Sequence, residues 1–284
     1  MHMGRIHEFP PQGGEQPARL REDAELESRL RAALAQGNRD SLKRMKREYE
    51  KRYPNEREGI EALFGLARYL DTAQAIREMK ERDGSVPKEL YRAQTEYNFT
   101  LTHFVKVAND KEFLSGFWDL LKVVGETRSE EDAVTVGRLH AGVVTQVAIS
   151  KTFETLGEGT SLSHPDEDAF HATDLWVEEH PVQVKGMRGN EPEFTEVDSM
   201  TYPATSIRHG NRERVYTSHF DEEIDRFALK IRKYGELKGR EMRGYFVAVP
   251  YRMIDWDTGD PSPELVDYFR EHAPDRPTPT QRAA

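Results

Sequence analysis

Apolar residues recur at three- and four-residue spacing from about residue 21 to residue 126, which is the pattern of amphipathic helices packed on a common core. The runs are interrupted by residues that end helices, namely Gly37, Pro54, Gly84 and Pro87. No stretch of this region alternates apolar and polar residues with the period of two that a half-buried strand requires. The sequence therefore predicts a helical bundle, or a short array of helical hairpins, over 21–126.

The pattern changes at Thr127. Thr127 or Ser129 is expected to cap a long helix that ends near Gly157. A later helix is predicted from Asp221 onward because its apolar residues fall on one stripe. The continuous apolar run over 245–249 is bounded by turn residues and is typical of a buried strand. This part of the chain is therefore expected to mix helices with a sheet.

Two short runs between these helices predict a β-hairpin, because apolar and polar residues alternate in both. Its apolar face is formed by Leu175, Val177, Val182 and Val184. If Glu179 and His180 are the central turn residues, Asp174 lies opposite Lys185 on the polar face. The segment that precedes the hairpin, rich in acids and histidine, is expected to be a loop.

The chain is thus predicted to be an α+β protein in which an all-helical domain precedes a mixed-sheet core flanked by helices. A further strand is expected at 194–197 or at 215–217. The predicted division is a disordered tail over 1–20, a helical domain over 21–126, a sheet-containing domain over 127–271 and a second disordered tail over 272–284.

Composition narrows the chemistry. The 284 residues include no cysteine, which excludes disulfides, thiolate zinc sites and a cysteine nucleophile. The net charge of -10 argues against an indiscriminate nucleic-acid coat, although a local basic strip can still bind phosphates. No apolar run approaches the roughly 20 residues of a membrane span, and the first residues form no hydrophobic signal segment. We therefore expect a cytoplasmic protein without membrane contact.

The polar face of the hairpin carries the candidate chemistry. Mg²⁺ or Mn²⁺ binds hard oxygen ligands and keeps several waters, so Asp174 can anchor a metal with help from the amide oxygen of Gln183 and the carbonyl of Val184. If the bound metal acts on a phosphate ester, Lys185 would orient the attacking water and offset the negative charge that builds at phosphorus. The alternative is an ordinary cross-strand ion pair between Asp174 and Lys185, worth roughly 0.2–1 kcal/mol. The loop acids Asp166, Glu167 and Asp168 could supply a further carboxylate ligand to the metal, or they could simply belong to the solvated surface.

An acid on one strand and a polar-x-Lys triplet on the next, preceded by a helix and followed by a helix and a buried strand, resemble the PD-(D/E)XK nuclease superfamily. The resemblance covers the second half of the chain and implies a restriction-endonuclease-like core. It assigns Asp174 to the motif's Asp, Gln183 to its D/E position and Lys185 to its Lys, as in the Q-x-K variant of Mrr-like enzymes. By its distance from Gly157, Gln146 matches the family's helical acid. Gln at both acidic positions departs from the usual pattern.

The resemblance implies a Mg²⁺- or Mn²⁺-dependent endonuclease acting on nucleic acid, with DNA favoured over RNA. The alternative is a degenerate nuclease fold that binds nucleic acid or a protein without cleaving it. The helical domain is expected to select the substrate, bind a protein partner or form a homodimer. Phosphate contacts are expected from basic residues beside the site: Arg208, Arg212, Arg214, Arg226, Lys230 and Lys233.

Overall fold

The computed structural model describes residues 25–35, 39–198 and 220–272. The tail predicted at 1–20, the candidate strand at 215–217 and the helix end at Gly37 lie outside these ranges, as does all but the first residue of the tail predicted at 272–284. That first residue, His272, is the last residue of a helix. Within them, the predicted α+β layout is confirmed, with N-terminal helices followed by a five-stranded mixed sheet. No helix in the described ranges is both long and apolar enough to cross a bilayer.

The N-terminal region consists of helices joined by short connections, as the three- and four-residue spacing predicts. They are α1 (Leu26–Ala35), α2 (Arg39–Arg52), α3 (Arg57–Asp83), α4 (Lys88–Ala108) and α5 (Lys111–Arg128). Gly84 ends α3 with a φ of 66°, the left-handed conformation that a residue without Cβ adopts at little cost. Ser129 ends α5 and also caps the next helix, because its side chain accepts a hydrogen bond from the Asp132 N–H.

The C-terminal region places a sheet between helices. Its elements are α6 (Glu130–Thr155), β1 (Thr160–Leu162), α7 (Pro165–His171), β2 (Leu175–Val177), β3 (His180–Met187), β4 (Glu193–Asp198), α8 (Asp221–Lys238), β5 (Arg243–Pro250) and α9 (Pro263–His272). The strand order is β1-β2-β3-β5-β4. β3 and β5 are parallel, whereas the other neighbours are antiparallel. The strand predicted at 245–249 and the strand predicted at 194–197 are both present as β5 and β4.

The two faces of the sheet pack on different helices. Along β5, Tyr245, Val247 and Val249 belong to the cluster that contains the buried residues of α6, while Phe246 and Ala248 pack with α8. The first of these clusters is continuous from Leu26 in α1 to Phe269 in α9. Apolar packing therefore crosses the position at which the sequence predicts a domain boundary.

The hairpin differs from its predicted register. His180 pairs with Val177 and Val182 with Leu175, so the turn consists of Glu178 and Glu179 rather than Glu179 and His180. Because the shift changes each pairing by two positions, the predicted apolar face is retained, and all four of its residues are buried. Asp174, however, comes beside Gln183 instead of opposite Lys185.

The predicted acidic loop before the hairpin is wrong, because this segment folds into α7. His164 caps the helix by accepting a hydrogen bond from the Asp166 N–H, and the Glu167 carboxylate accepts one from the His164 N–H. Pro165 occupies the first turn, where its missing N–H costs nothing. A cap residue, Pro and then three acids were a readable helix start, with His in the place usually held by Ser or Thr.

Candidate active site

Asp174 lies immediately before β2 and is fixed there by main-chain hydrogen bonds. Its N–H donates to the Val182 carbonyl at 2.8 Å, and its carbonyl accepts from the Ser163 N–H at 3.3 Å. Its Oδ2 accepts from the Val184 N–H at 2.6 Å and from the Gln183 side-chain amide. The carboxylate is therefore oriented by β3, and Asp174 as a whole is half-buried.

Lys185 lies on the same side of the sheet as Gln183. In the parallel pairing with β5, Gln183 is level with Phe246 and Lys185 with Ala248, and both of those partners pack against α8. Lys185 is half-buried, and among the described residues no side chain forms a hydrogen bond or ion pair with it. Its charge nevertheless acts on the carboxyl groups of Asp174 and Asp168.

Asp168 and Lys230 complete the charged group, and they come from α7 and α8. Burial raises the pKa of Asp168 to about 8, and the negative charge of Asp174 adds to that rise. Burial also raises the pKa of Asp174 to about 6, although the Val184 N–H and Lys185 favour its ionised form. The pKa of Lys230 is lowered by burial, against the attraction of the two carboxylates. The four groups thus form one coupled electrostatic cluster.

Gln146 is close to Asp174, as predicted, but it contacts the main chain. Its side-chain Nε2 donates to the carbonyl oxygen of Asp174, and its Oε1 accepts from the Thr102 hydroxyl at 3.0 Å. The buried residues of α6 pack on the opposite face of the sheet from Gln183 and Lys185. Both ends of the Gln146 amide thus have partners other than the Asp174 carboxylate.

Glu167, which the sequence analysis names as a possible metal ligand, is held by hydrogen bonds to two aromatic side chains. Its carboxylate accepts from the Trp176 indole N–H at 2.9 Å and from the Tyr234 hydroxyl at 2.8 Å. Burial alone would raise the pKa of Glu167, but these hydrogen bonds lower it below its usual range. The carboxylate thereby ties α7 to β2 and α8, and this places its neighbour Asp168 at the cluster.

The expected phosphate contacts divide into three groups. Arg208, Arg212 and Arg214 lie outside the described residues. Arg226 is exposed and pairs with Glu222 one turn away, and Lys233 is exposed on α8. Lys230 is the member of this set that the structure brings to Asp168 and Asp174.

The donor set for a metal is small. In the described part of the chain, no three His, Asp or Glu side chains converge in a way that would hold an ion. The carboxylates of Asp168 and Asp174 are near enough for the charge of Asp174 to raise the pKa of Asp168, and the Gln183 amide donates a hydrogen bond to Asp174. Two half-buried carboxylates that repel each other offer hard oxygen ligands and a charge that a divalent cation relieves, so these residues fit Mg²⁺ or Mn²⁺ with several retained waters.

No family model, curated protein or solved structure matches this chain. What the site does is therefore inferred from its residues and their geometry.

Proposed function

We propose that the protein is a metal-dependent nuclease that hydrolyses phosphodiester bonds of nucleic acid. The observation that carries the proposal is that the charges of Asp168 in α7, Asp174 before β2, Lys185 in β3 and Lys230 in α8 act on one another. Two acids with raised pKa values beside two ammonium groups are characteristic of functional sites, since folding alone gains little from burying them.

Each group has a role that follows from its chemistry. Asp174 and Asp168 would hold the cation, with the Gln183 amide oxygen as a third ligand after a half-turn of the amide group. A bound Mg²⁺ or Mn²⁺ would supply Lewis acidity toward a phosphate oxygen and lower the pKa of a bound water. Lys185, which has no competing partner among the described side chains, would orient that water. Lys230 would attract the scissile phosphate.

The resemblance to PD-(D/E)XK nucleases adds support. The strand β3, which carries Gln183 and Lys185, is parallel to the buried strand β5. The helix α8 lies between β4 and β5 in the chain. DNA rather than RNA is favoured because the Q-x-K variant resembles restriction enzymes. On this proposal, the helical region at the N-terminus selects the substrate.

A second candidate is nucleic-acid binding without cleavage. One observation favours it: the Gln183 amide and the Val184 N–H both donate to Asp174 Oδ2, so this oxygen of the carboxylate already has protein partners. The two carboxylates are also matched in number by the ammonium groups of Lys185 and Lys230. A charge-balanced cluster of this kind needs no cation.

The deciding experiment is a cleavage assay on duplex DNA, single-stranded DNA and RNA with Mg²⁺, Mn²⁺ or EDTA. We expect cleavage of DNA with either metal, loss of cleavage in EDTA, and loss in Asp174→Asn and Lys185→Met. Asp119→Asn, a change at an exposed position of α5, is the matched control and should cleave normally. Salt-sensitive DNA binding without cleavage, together with no Mn²⁺ binding by calorimetry, would replace the nuclease with the second candidate.

A further inference from the structure

We propose that α4, a helix of the N-terminal region, is part of the metal site, with Thr102 and Thr95 as positioning residues for its two carboxylates. This inference rests on the proposed nuclease function. It assigns to the helical region a direct task in shaping the site, beyond substrate selection. The supporting contacts join α4 to both segments that carry a carboxylate of the site, the one with Asp174 and the one with Asp168.

The first contact leads to Asp174. Thr102 is 0% exposed, and its hydroxyl donates to Gln146 Oε1 at 3.0 Å. Because this bond leaves the Gln146 Nε2 directed at the Asp174 carbonyl, it fixes which end of the amide faces the site. The same carbonyl accepts from the Ser163 N–H, so the main chain of Asp174 is held between α6 and the residue that follows β1. Thr102 thus acts on the carboxylate through Gln146.

The second contact leads to Asp168. The Thr95 hydroxyl lies 2.9 Å from the Pro165 carbonyl oxygen in α7, closer than to any carbonyl of its own helix. Arg92, one turn earlier, pairs with Asp166 at 3.4 Å. These bonds hold the start of the short helix whose next turn carries Asp168.

The spacing on α4 connects the two contacts. Thr95 and Thr102 are seven residues apart, which places them on one face of the helix and about 10.5 Å apart along its axis. A single rigid helix therefore grips both acid-bearing segments, and it sets their separation. Carboxylates held in this way need less reorganisation to bind an ion, so the loss of an outer contact should weaken binding.

The test is Mn²⁺ affinity of the full-length protein, measured by calorimetry. Thr102→Val removes the hydroxyl but keeps the volume, and it should weaken Mn²⁺ binding about tenfold, within the range for outer contacts of metal ligands. Thr102→Ser keeps the hydroxyl and should restore wild-type affinity. The matched control is Thr152→Val in α6, also 0% exposed, whose hydroxyl bonds only to its own helix. It should bind Mn²⁺ as the wild type does, whatever its melting temperature.

A double-mutant cycle separates positioning from general loosening. If Thr102 acts through Gln146, Thr102→Val should have no further effect on Mn²⁺ affinity in a Gln146→Leu background. Unchanged affinity in Thr102→Val while the wild type binds Mn²⁺ would overturn this inference and leave the nuclease proposal intact. If Thr102→Val does not fold, Gln146→Leu and Thr95→Val decide, and wild-type affinity in both refutes the inference. Absence of Mn²⁺ binding by the wild type would overturn both proposals.

Discussion

At the scale of single residues, Asp174 is constrained at its N–H, its carbonyl and one carboxylate oxygen by hydrogen bonds to three segments of the chain, namely β3, α6 and the residue that follows β1. Of the residues that the sequence singled out, Gln146 and Gln183 both form hydrogen bonds with Asp174, and the charge of Lys185 acts on its carboxyl group. The sequence did not predict which atom each would contact. An amide has a donor end and an acceptor end, and only the surrounding partners, here Thr102 for Gln146, determine which end is used.

Restoring an acid at Gln146 should therefore weaken the protein. In Gln146→Glu, a carboxylate would face the Asp174 carbonyl, and two acceptors would replace a donor and an acceptor. We expect a melting temperature lower than that of the wild type and no tighter Mn²⁺ binding. Gln183→Glu, which adds its charge beside the Asp174 carboxylate, should bind Mn²⁺ more tightly. A gain in affinity for Gln146→Glu would show that residue 146 reaches the ion.

The pKa of Asp168 gives a pH prediction. Its folded pKa of about 8 lies above the roughly 3.9 of an unfolded Asp, so the group favours folding below pH 4 and this contribution is lost as pH rises toward 8. In the metal-free protein, Asp168→Asn should therefore raise the melting temperature at pH 8 by more than it does at pH 5. The measurement is the difference between variant and wild type at each pH, because histidines with lowered pKa values oppose the trend in both. An equal difference at both pH values would contradict the raised pKa.

At the scale of elements, periodicity predicted the long helices and β5 correctly, because a stripe or a buried run is repeated over many residues. The elements that the sequence missed or predicted wrongly are short or depend on a few local residues. β1 has only three residues, α7 begins with an unusual cap, and the hairpin turn places Glu178 at a φ of 52°, where Gly or Asn is the usual signal. Without that signal the register could slip by two positions with its apolar face intact.

Gly186, beside Lys185 in β3, should be intolerant of any side chain. A Cβ there would lie 2.2 Å from the Tyr251 ring and 2.9 Å from the Thr145 hydroxyl. Gly186→Ala should lower the free energy of unfolding by roughly 1–3 kcal/mol, the usual cost of overpacking. The control is Gly142→Ala in α6, where a Cβ meets nothing within 4 Å. That change should stabilise the protein by roughly 0.5–1 kcal/mol, and chemical denaturation of both variants tests the contrast.

At the scale of the whole molecule, the buried cluster that runs from α1 to α9 joins the helical region to the sheet. The sequence suggests two domains because the pattern of elements changes at Thr127, but a pattern cannot show which apolar faces meet. Leu101 and Phe104 of α4 belong to the same cluster as Val143 and Val147 of α6. Separation of the two regions would expose both sets.

We therefore expect the chain to unfold in a single cooperative transition. By calorimetry, the measured enthalpy should equal the van't Hoff enthalpy. Leu66→Ala in α3 and Val247→Ala in β5, both 0% exposed, should each lower the midpoint temperature of that one transition, and Leu66→Ala should remove roughly 2–5 kcal/mol of stability. Two resolved transitions, with each variant shifting a different one, would establish two independent domains.

The junction at Ser129 has a consequence for how this molecule tolerates changes in length. Only that residue separates the end of α5 from the start of α6, so there is no loop between the two helices that could absorb a change in length. One added residue at this point would turn α6 by about 100° around its axis or push the first five helices out of place. Insertions and deletions should therefore be far more disruptive here than substitutions, and relatives of this chain should keep the length of this junction even where its sequence varies.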